Sequence, residues 1–213
     1  MIQFHDYPLS GNCFKVRFLL EQLGLEYQSI LVDFYPGYEH KSPRFLNINP
    51  LGQLPAIMDK GQAVRDAQAI LVYLAAAYDK SGKWFPRDHQ GEVYQWLAFA
   101  DQLTGSISAA RLHDAMFYRL DVSKARTEGI KLLRIIDEHL WFAEKDGHDW
   151  LLPLPHPTIA DVACLPYIAL AEEGGIDLAP FFSVSRWMER FMRLEKFKPM
   201  PGMMPLQMPK ETP

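Results

Sequence analysis

The chain has 213 residues, enough for one large domain or two small ones. Apolar residues make up 48%, and the formal net charge is −4 without a lysine or arginine cluster, so we expect neither a nucleic-acid nor a membrane partner. No apolar run approaches the roughly 20 residues of a membrane helix, and the N-terminus lacks the pattern of a secretory signal. With only two cysteines, a disulfide framework is not expected and a cytoplasmic location is the default.

The first part of the chain predicts alternating strands and helices. Residues 2–5 form a short apolar run, and residues 12–23 carry apolar side chains at helical spacing before a glycine. Residues 27–32 are rich in β-branched and aromatic residues, so we expect a second strand parallel to the first, joined by a right-handed crossover.

The next segments complete a domain that closes by residue 79. After an irregular stretch with a short helix near residues 43–48, two short strands over 55–58 and 62–64 predict an antiparallel hairpin. Asp66 can then cap a helix that runs to about Tyr78. The predicted order is βαβ-αββα.

Everything beyond a linker at residues 80–88 reads as a second, helical domain over residues 89–213. Long periodic segments predict its helices, over residues 93–116, 123–143, 159–172 and 183–194. The tail from residue 198 holds five prolines and four methionines and should be irregular. Thr158 and Asp161 have the spacing of a capping box, which is structural.

The turn Ser10-Gly11-Asn12-Cys13 lies between the first strand and the first helix. A helix N-terminus stabilises a thiolate or another anion, and the Ser10 hydroxyl adds a hydrogen bond that lowers the pKa of a bound thiol. The alternative is that Ser10 or Asn12 is only a helix cap and that Cys13 is a small buried filler.

Two further turns fall near the same place in the predicted fold. Gln53-Leu54-Pro55 opens the third strand, and a cis bond before Pro55 would turn the Leu54 backbone outward to pair with a ligand; an ordinary strand-edge proline is the alternative. Asp66-Ala67 opens the third helix with a carboxylate and free N–H groups, or forms a plain N-cap. Histidines and cysteines show no metal-ligand spacing, so no metal is expected.

Together these segments resemble the glutathione S-transferase superfamily. The resemblance covers about residues 1–200 and depends on four motifs: SGNCFKVRFLL, FLNINPLGQLPAI, DAQAILVYLA and PTIADVACLPYIAL. It implies a thioredoxin-like α/β domain followed by an all-helical domain, a homodimer, and glutathione as the co-substrate.

The resemblance also assigns roles to single residues. Ser10 falls where the serine-type classes place the hydroxyl that holds the glutathione thiolate, and Asn12 would assist it. His40 matches a histidine that contacts the glycyl carboxylate. Gln53 matches a polar glutathione contact, Leu54 the backbone pairing with the cysteinyl unit, and Pro55 the cis-proline.

The chain departs from the family at Ala67. The pattern there is an acid followed by a serine that binds the γ-glutamyl carboxylate, and here Asp66 remains while the hydroxyl is missing. One charge-assisted hydrogen bond of roughly 1.5–3 kcal/mol would be lost. Asp66, Gln53 or the partner subunit's Asp101 would have to compensate.

Three functions follow as hypotheses. The first is a glutathione transferase that attacks a small electrophile held between the domains by Tyr7, Phe34, Leu112 and Phe117, with the tail as a cover. The second is glutathione-dependent thiol–disulfide exchange through Cys13. The third is a non-catalytic binding module with a weakened glutathione site, because a fold by itself does not imply activity.

Overall fold

A computed structural model describes residues 1–203 of the chain. Its strands are β1 (Ile2–Asp6), β2 (Tyr27–Leu31), β3 (Ala56–Asp59) and β4 (Gln62–Arg65). Its α-helices are α1 (Gly11–Gln22), α2 (Pro43–Leu46), α3 (Ala67–Tyr78), α4 (Gln90–Leu103), α5 (Ala109–Met116), α6 (Val122–Lys145), α7 (Ile159–Ala169) and α8 (Phe182–Met192). Single 3-10 turns lie at Glu39–Lys41, Arg87–His89 and Ala171–Gly174.

The four strands form one mixed sheet in the order β2-β1-β3-β4. β1 runs parallel to β2 and antiparallel to β3, and β3 pairs antiparallel with β4. Phe4 and Ile57 face each other across β1 and β3, and both are fully buried against the helices. The βαβ-αββα order predicted from the sequence is confirmed.

Side-chain caps define where helices α1 and α3 begin. Ser10 caps α1 by accepting a hydrogen bond from the Cys13 N–H at 3.2 Å, and Gly24 follows the helix at φ +63°, the left-handed conformation that glycine adopts without strain. Asp66 caps α3 by accepting from the Ala69 N–H at 3.0 Å. Because α1 follows β1 and α3 follows β4, and these two strands run in the same direction, both helices begin at the same edge of the sheet.

The single helix predicted over residues 93–116 is interrupted. α4 and α5 are joined by a π-helical turn at Thr104–Ser108. The Thr104 and Ser106 hydroxyls donate to main-chain carbonyls four residues earlier, at 3.0 and 2.7 Å, and such back-bonding disturbs the helical ladder. The helix predicted to reach residue 172 likewise ends at Ala169.

The predicted capping box at the start of α7 is confirmed and anchors the helical half of the molecule. The fully buried Asp161 carboxylate accepts from the Thr158 N–H at 2.9 Å and the Leu151 N–H at 3.1 Å. It also accepts from the Trp187 indole N–H at 2.9 Å, which ties α8 to α7.

The sheet domain and the helices share a continuous apolar core. α1 packs against both α3 and α7, and the Phe18 ring lies 4.9 Å from that of Phe191 between ring centroids. Residues 79–86 form an irregular connection between α3 and the helical half, and the division at residues 79, 80–88 and 89 stays a prediction. Among residues 1–203, no helix is long and apolar enough to cross a membrane.

Most of the predicted irregular tail falls outside the described residues. Residues 204–213 are not described, so the prediction that the tail covers the site cannot be placed on the structure. Before that point, Met200 and Met203 are both buried.

Candidate active site

One cleft between the sheet domain and the α4–α5 helices gathers seven of the nine predicted site residues. Its volume is about 520 Å³. The β1–α1 turn, the start of β3, the start of α3 and one face of α4–α5 form its walls. The predicted residues that line it are Ser10, Asn12, Gln53, Leu54, Pro55, Asp66 and Ala67.

The first end of the cleft, which we call the thiol end, is built around the N-terminus of α1. Ser10 accepts from the Cys13 N–H, which uses one lone pair of its hydroxyl and leaves the O–H hydrogen available to a ligand. The Asn12 side chain lies beside it, and its Oδ1 is buried with no hydrogen-bond partner among residues 1–203. The helix dipole adds a partial positive charge, so this end is suited to an anion.

Two tyrosines bring further hydroxyls to the cleft. Tyr7 stands in the β1–α1 turn, and Tyr167 reaches the cleft from α7. Burial raises the pKa of both phenols, so both remain protonated hydrogen-bond donors at neutral pH. Tyr167 packs so closely on α1 that a Cβ at Gly11 would lie 2.7 Å from its ring, which explains a glycine at the first helical position.

The middle wall is the segment that leads into β3. Asn49, which is buried, donates to the Gln53 carbonyl at 2.8 Å and accepts from the Leu51 N–H at 3.1 Å. These two bonds fix the turn before Leu54. The Leu54–Pro55 peptide bond is cis, as the family resemblance implies, and both residues line the cleft.

The opposite end, which we call the acidic end, lies at the start of α3. Asp66 and the buried Ala67 line it together with Arg65 from β4 and Asp101 from α4. Asp101 lines this chain's own cleft, and a contribution of Asp101 to the site of a partner subunit stays a prediction. Burial raises the pKa of Asp101, and the neighbouring charge of Asp66 adds to that effect.

Cys13 is not placed for the chemistry predicted for it. Its side chain is fully buried on the inner face of α1, and it is not part of the cleft wall. Burial raises the pKa of the Cys13 thiol to about 12, so the thiolate needed for disulfide exchange does not form at neutral pH. The burial of Cys13 therefore argues against thiol–disulfide exchange through this residue and favours the alternative of a buried filler.

Two other predicted residues also lie away from the cleft wall. The buried His40 stacks behind Phe34, with 4.0 Å between ring centroids, and Phe34 rather than His40 faces the cleft. Phe117, predicted to line the electrophile pocket, is 88% exposed, because α5 ends at Met116 and Phe117 turns outward at φ +60°. Tyr7, Phe34 and Leu112 do line the cleft.

The face of α4, the π turn and α5 forms one wall of the cleft, of which the sequence predicted only Leu112 and named Asp101 as a partner-subunit residue. The wall is lined by residues three or four positions apart, except for one adjacent pair: Asp101, Thr104, Ser108, Arg111, Leu112 and Met116. Arg111 is buried, pairs with Glu173 and donates to the Leu9 carbonyl at 2.9 Å. It thereby ties the helical half to the β1–α1 turn. The helical periodicity of residues 93–116 was predicted, but it does not mark the polar residues of this face as lining a cleft.

Comparison with known proteins shows a family match in the N-terminal part of the chain. Residues 9–77 match the family described as glutathione S-transferase, N-terminal domain. Glutathione S-transferase 2 of Anopheles gambiae is 28% identical over 199 residues, which cover 88% of each chain.

Solved structures extend the likeness to the whole fold. A glutathione S-transferase from Xanthobacter autotrophicus Py2 is 27% identical with a TM-score of 0.82, over 95% of this chain and 98% of that one. Ure2p in complex with glutathione is 27% identical with a TM-score of 0.77, over 91% and 90% of the two chains. The four-stranded mixed sheet followed by helices is therefore the thioredoxin-like domain and helical domain of the glutathione S-transferase fold, and the family match over residues 9–77 together with these relatives supports the glutathione S-transferase superfamily for this chain.

Proposed function

We propose that the protein is a glutathione transferase that activates the glutathione thiol at the thiol end of the cleft. The observation that carries the proposal is the position of the Ser10 hydroxyl. It stands at the N-terminus of α1 in a cleft that also contains Leu54, Asp66 and Ala67. Glutathione would lie along these residues, with its cysteinyl unit beside Leu54 and its thiol at Ser10.

The protein would catalyse the reaction by lowering the pKa of the glutathione thiol and by positioning the thiolate next to the electrophile. The glutathione S–H ionises, its proton passes to solvent, and the thiolate accepts the Ser10 O–H hydrogen bond beside the positive end of the α1 dipole. The thiolate sulfur then forms a bond to the electrophilic carbon, which releases a leaving group or takes up the electron pair of a double bond. No group of the protein becomes covalently modified.

The electrophile would bind where the cleft is apolar. Tyr7, Phe34, Leu112 and Met116 line that part, and the Tyr7 and Phe34 rings lie 5.3 Å apart between centroids. Such a wall favours a small, largely apolar molecule, held near the thiol by contact area rather than by charge. This assignment replaces the exposed Phe117 by Met116.

The test combines binding with turnover. Isothermal calorimetry should give glutathione binding in the micromolar to millimolar range, and the purified chain should conjugate glutathione to an aryl chloride activated by nitro groups. Loss of conjugation in Ser10→Ala, with glutathione binding retained, would support the role of the hydroxyl. Absence of both binding and conjugation in the parent protein would refute the proposal.

A second candidate is a glutathione-binding protein without transferase activity, and Ala67 favours it. The cleft has no side-chain hydroxyl at the first position of α3, where the family places one. Binding without conjugation of any electrophile from a chemically diverse panel would select this candidate. The homodimer implied by the family is a further proposal, and sedimentation of the purified protein tests it.

A further inference from the structure

Tyr167 is a buried tyrosine of α7 to which the proposed function gives no role. It is only 6% exposed, and it lines the cleft. Two residues of α1 border its ring: the Lys15 ammonium lies 5.2 Å from the ring centroid, and Gly11 lies against the ring edge. Because these contacts fix the ring, the fold itself sets the position of the phenol oxygen.

The hydroxyl end of this ring lies beside the thiol end of the cleft. A Cβ built on Gly11 would lie 2.7 Å from Cε1 of Tyr167 and 3.0 Å from Cζ, the ring carbon that carries the hydroxyl. Gly11 is the first residue of α1, and it follows Ser10 directly. The phenol oxygen is therefore next to the helix N-terminus at which the glutathione sulfur is proposed to react.

The phenol also borders the wall formed by α4, the π turn and α5. α7 packs against both α1 and the π turn, and Ser108 and Arg111 line the cleft together with Tyr167. Arg111 donates to the Leu9 carbonyl at 2.9 Å and pairs with Glu173, so its charge is largely neutralised. Two hydroxyls and a paired guanidinium suit a neutral hydrogen-bond acceptor, such as a carbonyl oxygen, better than a free anion.

The protonation state of Tyr167 fits the role of a donor. Burial raises the pKa of its phenol, so the hydroxyl keeps its proton at neutral pH. A neutral O–H group stabilises an acceptor more strongly as that acceptor gains negative charge. A donor fixed beside the reacting sulfur therefore favours a reaction in which charge builds up on an oxygen of the electrophile.

We propose that Tyr167 is a catalytic residue for the addition of glutathione to an α,β-unsaturated carbonyl compound, to whose oxygen it donates a hydrogen bond. This inference rests on the proposed function, because glutathione is the nucleophile. The thiolate sulfur forms a bond to the β-carbon, and the electron pair of the carbon–carbon double bond shifts towards the carbonyl, whose oxygen becomes an enolate. Water then gives a proton to the α-carbon, and the carbonyl group forms again.

The two hydroxyls at this place would act on different atoms. Ser10 donates to the sulfur and lowers the pKa of the thiol before the reaction. Tyr167 donates to the enolate oxygen, which carries a full negative charge only after the carbon–sulfur bond has begun to form, so its effect falls on the transition state. The Tyr167 proton stays on the phenol throughout.

Tyr167→Phe tests this role with two electrophiles that share a phenyl ring. Cinnamaldehyde has the unsaturated carbonyl group, whereas benzyl chloride reacts by displacement of chloride and has no oxygen. In the full-length variant, kcat/KM for cinnamaldehyde should fall roughly ten- to a hundredfold, and kcat/KM for benzyl chloride should change less than about twofold. The pKa of the bound glutathione thiol, followed by thiolate absorbance, should not change. Phenylalanine keeps the ring between Gly11 and Lys15, and thermal unfolding checks the fold.

Tyr94→Phe is the matched control. Tyr94 lies on α4, is 52% exposed and is not part of the cleft wall, so loss of its hydroxyl should leave both reactions unchanged. A second measurement needs no variant. The parent should accelerate the cinnamaldehyde reaction over that of free glutathione about tenfold more than the benzyl chloride reaction, because only the first develops charge on oxygen.

The outcomes separate this inference from the proposed function. An equal loss for both electrophiles with a raised thiol pKa would make Tyr167 a thiolate donor and overturn the inference, as would no loss for either or equal acceleration of both by the parent. A parent that conjugates benzyl chloride but not cinnamaldehyde would overturn the inference and leave the transferase intact. A parent that conjugates neither would overturn both.

Discussion

The two ends of the cleft are built from opposite kinds of interaction. At the thiol end the functional group is a neutral hydroxyl that also caps a helix, so Ser10 stabilises the fold while it is available to a ligand. At the acidic end the exposed carboxylates of Asp66 and Asp101 line the cleft, whereas Lys15 in α1 is fully buried and has no hydrogen bond among the described residues. The Ser10 cap therefore stabilises the fold, whereas burial of the Lys15 charge destabilises it.

The sharpest test of this difference is the pH dependence of stability that Lys15 causes. Its pKa is about 8 in the folded chain and 10.5 when exposed, so between these values the unfolded chain binds a proton that the folded chain does not. The free energy of unfolding therefore rises with pH between about 8 and 10.5. Below pH 8 the burial of the Lys15 ammonium destabilises the folded chain by its full amount. The shift corresponds to about 3 kcal/mol.

Comparison of the parent with Lys15→Met isolates this effect. The variant should be more stable near pH 7 by up to about 3 kcal/mol, and the gap should close towards pH 10.5. Cys13 and Tyr73, whose pKa values are raised by burial and by the Asp59 hydrogen bond respectively, titrate in alkali in both proteins and cancel in the difference. Urea unfolding at a series of pH values measures it, and a gap that does not change with pH would contradict a buried ammonium.

At the thiol end the largest effect should come from Ser10→Ala. Loss of one hydrogen bond to a thiolate costs roughly 1.5–3 kcal/mol, so kcat/KM for conjugation should fall roughly ten- to a hundredfold. The pKa of the bound glutathione thiol should rise by one to two units, which its ultraviolet thiolate absorbance reports.

Because Ser10 is also a cap, its removal needs a matched control. Ser42 caps α2 with the same geometry, accepting from the Phe45 N–H at 3.2 Å, and it is not part of the cleft wall. Each substitution by alanine should cost about 1 kcal/mol of stability. Only Ser10→Ala should lose activity, and an equal kinetic loss in both variants would assign the effect to helix stability.

The sequence predicted the fold well where local signals and tertiary structure agree. Strand β1, the capped start of α1 and the Thr158–Asp161 capping box all depend on residues close together in sequence. The π turn at Thr104–Ser108 was missed because it depends on which hydroxyls bond back to the helix. That choice is not encoded in apolar periodicity.

The sequence predicted the turns that line the site, but it did not predict the buried charge of Lys15 beside it. Ser10 and the Gln53-Leu54-Pro55 turn carry recognisable motifs, and both line the cleft. Lys15 lies in the apolar pattern of an amphipathic helix, where a lysine is expected in solvent. Its burial follows from α7 covering α1, a contact between residues about 150 positions apart.

The acidic end can be strengthened by Ala67→Ser. The Asp66 carboxylate already accepts from the Ala69 N–H, so the new hydroxyl stays available to the γ-glutamyl carboxylate. Glutathione should bind roughly tenfold more tightly by calorimetry. Ala69→Ser, an exposed change in the same helix turn, carries the same helix-propensity cost and should leave binding unchanged. Equal affinities for the parent and Ala67→Ser would mean that other groups already satisfy that carboxylate.

The smallest effect should come from Cys13→Ala, which separates the thiol end from the core beneath it. Cys13 is fully buried, so the change removes one sulfur from a packed interior and should cost about 1 kcal/mol of stability in urea unfolding. Its N–H still donates to Ser10 Oγ, because that bond involves the backbone, and kcat/KM should therefore stay within twofold of the parent, or roughly 0.4 kcal/mol. Incubation of the folded parent with oxidised glutathione should leave Cys13 without a mass-spectrometric adduct. An adduct there, or loss of turnover in Cys13→Ala, would show that α1 opens far enough to expose the thiol, and Cys13 would then act beside the Ser10 hydroxyl at that end.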